Sequence, residues 1–109
     1  MPVHFGFEAQ IDDLARPNGS DIHRAGAIYG AGNQQYIPTH ARPVGEWNDC
    51  EIQVRDQTYT VFLDGQQTTN WTNPDLARGL PSTPAVPSYV GLQAHTGRVS
   101  FRHIRINAL

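Results

Sequence analysis

Glu8, Gln10 and Asp12 sit two residues apart, so an extended chain carries all three on one face. Val3, Phe5, Phe7, Ala9 and Ile11 occupy the alternate positions. A buried apolar side accounts for that second set. It does not account for a carboxylate, an amide and a second carboxylate in a row on the other side. Near the opposite end Gln93 and His95 repeat the spacing, alternating with Leu92 and Ala94. If the two strands share a sheet, their polar faces pool into a groove. The groove then offers a carboxylate base, an imidazole acid or base, and two amides to hold hydroxyl groups. Taken singly, each strand reads as a solvated outer face with a structural histidine; the pairing carries the chemical reading.

Other chemistries find less support. His23, His95, Glu8 and Asp12 are metal-ligand types, but no short spacing such as H-x-x-x-H joins them, and no metal site or cofactor is expected. The chain lacks G-x-G-x-x-G, G-x-x-x-x-G-K and G-x-S-x-G, which removes the usual nucleotide and serine-hydrolase signatures. Cys50 is the single cysteine, so no internal disulfide forms. Asp49 and Glu51 beside it work against a thiolate, and a buried strand cysteine is expected.

The elements that must position these groups are strands. The chain has 109 residues, 39% hydrophobic and 17% charged, with a formal net charge of −2. That is the composition of a globular domain, read as one unit over 1–109. All basic residues are Arg and none cluster, so a nucleic-acid partner is not expected. No apolar run reaches the ~18 residues of a membrane span, and His4 and Glu8 interrupt the one early apolar stretch that would serve a leader.

Val3 to Asp12 alternates as a half-buried strand, and Arg16 to Ser20 is turn chemistry. Ala25 to Gly30 is a short strand of small residues, followed by a loop to Pro43. Cys50 to Arg55 alternates again, and Tyr59 to Leu63 is rich in β-branched and aromatic residues. Asp64-Gly65 between Leu63 and Gln66 is a two-residue hairpin signal. Four prolines between Thr72 and Ser88 exclude a helix there. Tyr89 to His95 and Val99 to Ile106 form a closing pair around Thr96-Gly97, with a change of phase near His103 that predicts a bulge. About seven strands and no amphipathic helix predict an all-β sandwich. Asn18-Gly19-Ser20 and Asn70-Trp71-Thr72 are glycosylation sequons that matter only in a eukaryotic secretory pathway.

Several runs then fall into a recognisable order: Gly6-Phe7-Glu8-Ala9-Gln10-Ile11-Asp12, Gly26-Ala27-Ile28-Tyr29, Gly45-Glu46-Trp47-Asn48-Asp49-Cys50-Glu51-Ile52, Phe62-Leu63-Asp64-Gly65-Gln66, Asn73-Pro74-Asp75, Gly91-Leu92-Gln93-Ala94-His95 and Val99 to Ile106. In order and spacing they resemble the 3-keto-disaccharide hydrolase domain family, over nearly the whole chain. The resemblance implies a concanavalin A-like jelly-roll sandwich of about seven antiparallel strands, with sugars bound on a concave sheet. It implies cleavage of 3-keto glycosides by elimination and hydration. It implies Glu8 and His95 as catalytic residues, with Gln10, Asp12, His23, Tyr29 and Gln93 holding the substrate. An extracellular or periplasmic, bacterial setting goes with it.

Relatives of that kind carry further strands before the one holding Glu8, so the chain reads as shortened at the N-terminus. Either a missing segment or a second copy is expected to complete it, and a homo-oligomer with strand Val3–Ile11 or a neighbouring edge at the contact is the expectation, since an open edge invites pairing. Two functions follow. One is an enzyme on oxidised glycosides; the other is a non-catalytic, lectin-like carbohydrate-binding or interaction module, for which Tyr36, Trp47, Trp71 and Tyr89 would stack on sugar rings.

Overall fold

A computed structural model of the chain describes residues 6–12, 14, 19–38, 41–75, 77–78, 89–94 and 97–108. Its centre is an antiparallel sheet of four strands: β1 (Gln35–Tyr36), β2 (Cys50–Arg55), β3 (Thr58–Leu63) and β4 (Gln66–Thr72), in the order β1-β4-β3-β2. No α-helix occurs among the described residues; one 3-10 turn covers Asp21–His23.

Turn chemistry sets the order. Arg55 pairs with Thr58 around Asp56-Gln57, and Leu63 pairs with Gln66 around Asp64-Gly65. Asp64 and Gly65 both have positive φ, 50° and 80°. That is the backbone a twisted two-residue hairpin requires and that Asp-Gly supplies. The Asp64 carboxylate also accepts the Asp49 amide at 2.8 Å and lies 3.5 Å from the Arg42 guanidinium. The turn is thereby tied to the loop that precedes β2.

Partners across a ladder point to one side of a sheet. Tyr59, Val61 and Leu63 on β3 therefore face the same way as Cys50, Ile52 and Val54 on β2 and as Thr69 and Trp71 on β4. Ile28, Val61 and Trp71 form the core on this inner side, with Phe7, Ala9, Ala31 and Tyr59 packed against them. The rings of Phe7 and Trp71 meet edge-on at 4.7 Å, and those of Phe7 and Tyr59 at 5.3 Å, geometries that aromatic quadrupoles favour.

The covering layer is the segment 7–12 laid antiparallel to 25–29. Ala9 bridges Ile28; the Gln10 amide donates to Ala27, the Gly26 amide to Gln10 and the Tyr29 amide to Glu8. The strand expected over Val3–Ile11 is reduced here to that bridge, and the one expected over Ala25–Gly30 likewise. The reason is local: Gly26 and Gly30 have φ of 86° and 73°, which bends the partner away from a continuous ladder. Residues 3–5 lie outside the described set.

Three further expectations change. The loop expected between Gly30 and Pro43 contains β1, whose Tyr36 pairs with Thr69. The closing pair forms no ladder among the described residues: 89–94 and 97–108 are exposed and carry no regular secondary structure. The all-β expectation holds; of the jelly roll of about seven strands, the described residues show one antiparallel sheet of four. His103 has φ 53° at the point where the apolar phase changes, so a left-handed residue, with no ladder around it, takes the place of the expected bulge. Cys50, expected buried, is exposed, because it lies on the edge strand at the uncovered end of the inner face.

The loop after β4 clamps the two layers. Buried Asn73 donates to the Gln57 side chain and to the carbonyls of Asp75 and Arg78, while the Asn73 amide donates to Gln57. Arg78 then donates through Nε and Nη2 to the Gly6 carbonyl at 2.9 and 2.6 Å and lies 4.6 Å over the Phe7 ring.

Candidate functional site

Antiparallel pairing of Ala9 with Ile28 makes Glu8 and Tyr29 neighbours, joined by the 2.8 Å bond from the Tyr29 amide to the Glu8 carbonyl. Phe7 and Ala9 are turned into the core, so the period of two sends Glu8 and Gln10 to the other side of the covering layer. His23, on the 3-10 turn, has its ring 4.7 Å from that of Tyr29. Glu8 and Tyr29 are thus neighbours through their backbones and His23 and Tyr29 through their rings, with Glu8 and His23 half-buried and Tyr29 exposed.

The support beneath this group was not legible in the sequence. Gln34 uses its side-chain amide as a strand would use its backbone. Its Oε1 accepts the Ile28 amide at 2.9 Å, and its Nε2 donates to the Ile28 and Ala31 carbonyls at 2.7 Å each. Thr69 on β4 has its hydroxyl between the Gly26 carbonyl at 2.8 Å and Gln34 Oε1 at 3.2 Å, and its one proton is shared between these two acceptors. The central sheet therefore fixes the backbone on either side of Ile28, and with it the place of Tyr29. A Gln beside a bend of small residues was the available signal, and it resembles ordinary loop composition.

Gln10 and Asp12 are turned to local work. Gln10 Oε1 accepts the Ile11 amide, and Asp12 Oδ1 accepts the Leu14 amide in an Asx turn. Gln93 is exposed and shares no ladder with the Glu8 segment, so the groove pooled from two strands of one sheet is not formed by the described residues. His95 lies outside them, as does Asn18 of the first sequon. Among the described residues no group of three His, Cys, Asp or Glu side chains is placed to hold a metal.

Of the aromatic residues expected to stack on sugars, two are structural. Trp71 is 5% exposed, and its indole donates to Asn33 at 2.7 Å. Tyr36 is half-buried, with its hydroxyl donating to the Ala25 carbonyl. Both lie on the inner face of the sheet, which is why they are withdrawn. Trp47 and Tyr89 are exposed, and the Arg102 guanidinium rests 4.0 Å over the Trp47 ring.

Two depressions open near these residues. One of about 170 Å³ is lined by Phe7, Tyr29, Trp71, Pro74 and Arg78 among others, so Tyr29 belongs both to it and to the Glu8 group. The other, of about 390 Å³, lies over Asn33, Gln35, Asn70, Trp71 and Thr72. Gln35 and Asn70 of its lining face the outer side of the sheet, where Gln53, Thr60, Asn70 and Gln35 stand in one row across all four strands. This uncharged row of amides and a hydroxyl was not foreseen, because its members come from four separate strands.

The match to known families agrees with the motif order. The family model for a 3-keto-alpha-glucoside-1,2-lyase-like domain matches residues 1–107. No curated protein and no solved structure matches the chain.

Proposed function

The chain belongs to the 3-keto-alpha-glucoside-1,2-lyase-like domain family, and from that premise we propose that it cleaves 3-keto glycosides at the group of Glu8, His23 and Tyr29. A ketone at C3 acidifies the C2 proton of the sugar. Glu8 removes that proton; the electron pair forms the C1–C2 double bond and the C1–O bond breaks. His95 delivers the proton that the departing oxygen needs. Water then adds across the double bond, so the net reaction is hydrolysis. General acid–base help of this kind contributes typically ~10²–10⁴-fold.

The observation that carries the reading is the family match across 1–107. It is supported by the pairing of Glu8 with Tyr29 and the 4.7 Å approach of His23 to Tyr29. Tyr29 also lines the 170 Å³ depression, which gives the substituent at C1 somewhere to sit. Gln10, Asp12 and Gln93 are proposed as substrate contacts of lesser weight, since the first two already bond to backbone. The test is turnover of a 3-keto glycoside by the parent and by Glu8→Gln. Loss of roughly 10²-fold or more with an unchanged melting temperature is expected. Equal turnover would remove Glu8 from the mechanism.

The second reading, a carbohydrate-binding module without catalysis, is favoured by the outer row of Gln53, Thr60, Asn70 and Gln35. Such a row suits the hydroxyls of a neutral sugar chain. Calorimetric titration with neutral oligosaccharides separates the two: binding that Asn70→Ala abolishes and Glu8→Gln leaves intact, without turnover, identifies the module.

A further inference from the structure

Strand β2 is an edge of the sheet, and its inner face is bare. The covering layer reaches β3 and β4 through Phe7, Ala9 and Ile28. It leaves Ile52 and Val54 at 49% and 46% exposed, with Cys50 exposed beside them. One side of the β2 backbone has no ladder partner among the described residues. An unpaired edge with an apolar face is the kind of surface that accepts an added strand.

The same chain carries a second unpartnered surface. Residues 97–108 have no regular secondary structure and join no ladder among the described residues. They present Val99, Phe101, Ile104 and Ile106 to solvent, the last two at 62% and 77% exposure. The two surfaces are also opposite in charge. Glu46, Asp49, Glu51 and Asp56 lie in or next to β2 in the chain against Arg55, with Arg42 nearby and engaged with Asp64, whereas 97–108 holds Arg98, Arg102 and Arg105 and no acid. Within one chain Arg102 lies over the Trp47 ring at 4.0 Å, just before β2.

We propose that these surfaces meet between two copies: segment 97–108 of each docks on the β2 edge of the other. The exchange is self-complementary, so it closes as a two-fold dimer and leaves no free donor or acceptor. It moves the association expected for the Val3–Ile11 strand to β2, whose inner face the covering layer leaves bare.

The test uses the full chain and two variants at exposed positions: Ile52→Asp in the acceptor and Ile104→Asp in the donor. Sedimentation velocity on the parent should show a species of twice 12.1 kDa. Each variant alone should raise the concentration needed for association at least tenfold, because every contact in its homodimer is spoiled. An equimolar mixture should recover association, since an intact donor then meets an intact acceptor. Circular dichroism confirms that each variant is folded. Three results would each overturn the proposal. One is a parent that stays monomeric across the concentration range, as docking of the segment within its own chain would give. Another is a dimer indifferent to both variants, and the last is a mixture that associates no better than its components.

Discussion

Thr68 Oγ1 donates to the Gly26 carbonyl at 2.8 Å, and a Cβ placed on Gly26 would lie 2.6 Å from that same oxygen. A bulge sets up the contact. Val61 pairs with Thr69 and Phe62 with Gln67, so Thr68 is the extra residue of β4. The irregularity turns Thr68 and Thr69 toward one carbonyl, which accepts from both hydroxyls, Thr69 also at 2.8 Å. This is the seam between the sheet and the layer that holds Glu8 and Tyr29. Gly26 has φ 86° as well, so any side chain there meets both backbone strain and a steric block. Gly26→Ala is expected to cost about 2–4 kcal/mol, read as a lower urea midpoint. Thr68→Val, which keeps the shape and removes the donor, should cost about 0.5–1.5 kcal/mol, because the buried carbonyl loses one of its two partners and keeps Thr69. A Gly26→Ala protein with the parent's midpoint would show that the layers are not in contact at this seam.

The Asp64-Gly65 turn makes a contrasting case. A Cβ on Gly65 would meet nothing within 4 Å, so its requirement is conformational alone. Gly65→Val should destabilise by about 1–3 kcal/mol. Gly65→Asn should recover most of that loss, since Asn tolerates the left-handed region. Equal melting temperatures for the Val and Asn variants would contradict this.

These two glycines mark what the sequence could disclose. The hairpin is written in adjacent residues, and β2 to β4 were legible from alternation and Asp-Gly alone. Gly26 is explained only by Thr68, 42 positions away, and no periodicity reports that distance. The same holds for the site. The phase of Glu8 was readable, and so was its shared strand face with Gln10. The anchoring of Tyr29 through Gln34 and Thr69 was not. β1 was passed over because two paired residues inside a polar loop leave no period to detect. Trp71 and Tyr36 were misjudged as surface aromatics for the converse reason, since type alone does not say which side of a sheet a ring occupies. The closing segments carried an alternating pattern, but alternation does not say which edge a segment pairs with, and among the described residues they join none.

Cys50 gives a prediction with a pH sign. Although the residue as a whole is exposed, desolvation of its thiol by the atoms around it first, and the Asp64 carboxylate second, push that thiol above the ordinary value of 9.0. The flanking acids Asp49 and Glu51, expected to do this, are not the cause. The neutral thiol is favoured in the folded state. Its contribution to stability is therefore fully present below the unfolded value and is lost as pH rises toward the folded one. Alkylation of the folded protein at pH 8 should run slower than that of the urea-unfolded chain, and Asp64→Asn should quicken it. Folded protein labelled as fast as unfolded would rule out the shift.

Arg78 links the loop after β4 to the segment that carries Glu8. Its guanidinium donates two hydrogen bonds to the Gly6 carbonyl and covers the Phe7 ring, and Phe7 leans on Trp71. Hydrogen bonds from a charged donor contribute about 1.5–3 kcal/mol each when well placed. Lys offers one ammonium in place of the fork and cannot lie flat on the ring in the same way. Arg78→Lys should therefore cost about 1–3 kcal/mol in the urea midpoint. Its second effect is positional: residues 6 and 7 loosen, and Glu8 follows them in the chain. If Glu8 is the base proposed above, turnover of a 3-keto glycoside should fall, with the loss in kcat rather than in KM, because Glu8 is displaced while substrate contacts elsewhere remain. Trp71 emission should shift to longer wavelength as Phe7 withdraws. If Arg78→Lys lowers the midpoint but leaves kcat and Trp71 emission unchanged, the clamp holds the loop alone and does not set the position of Glu8.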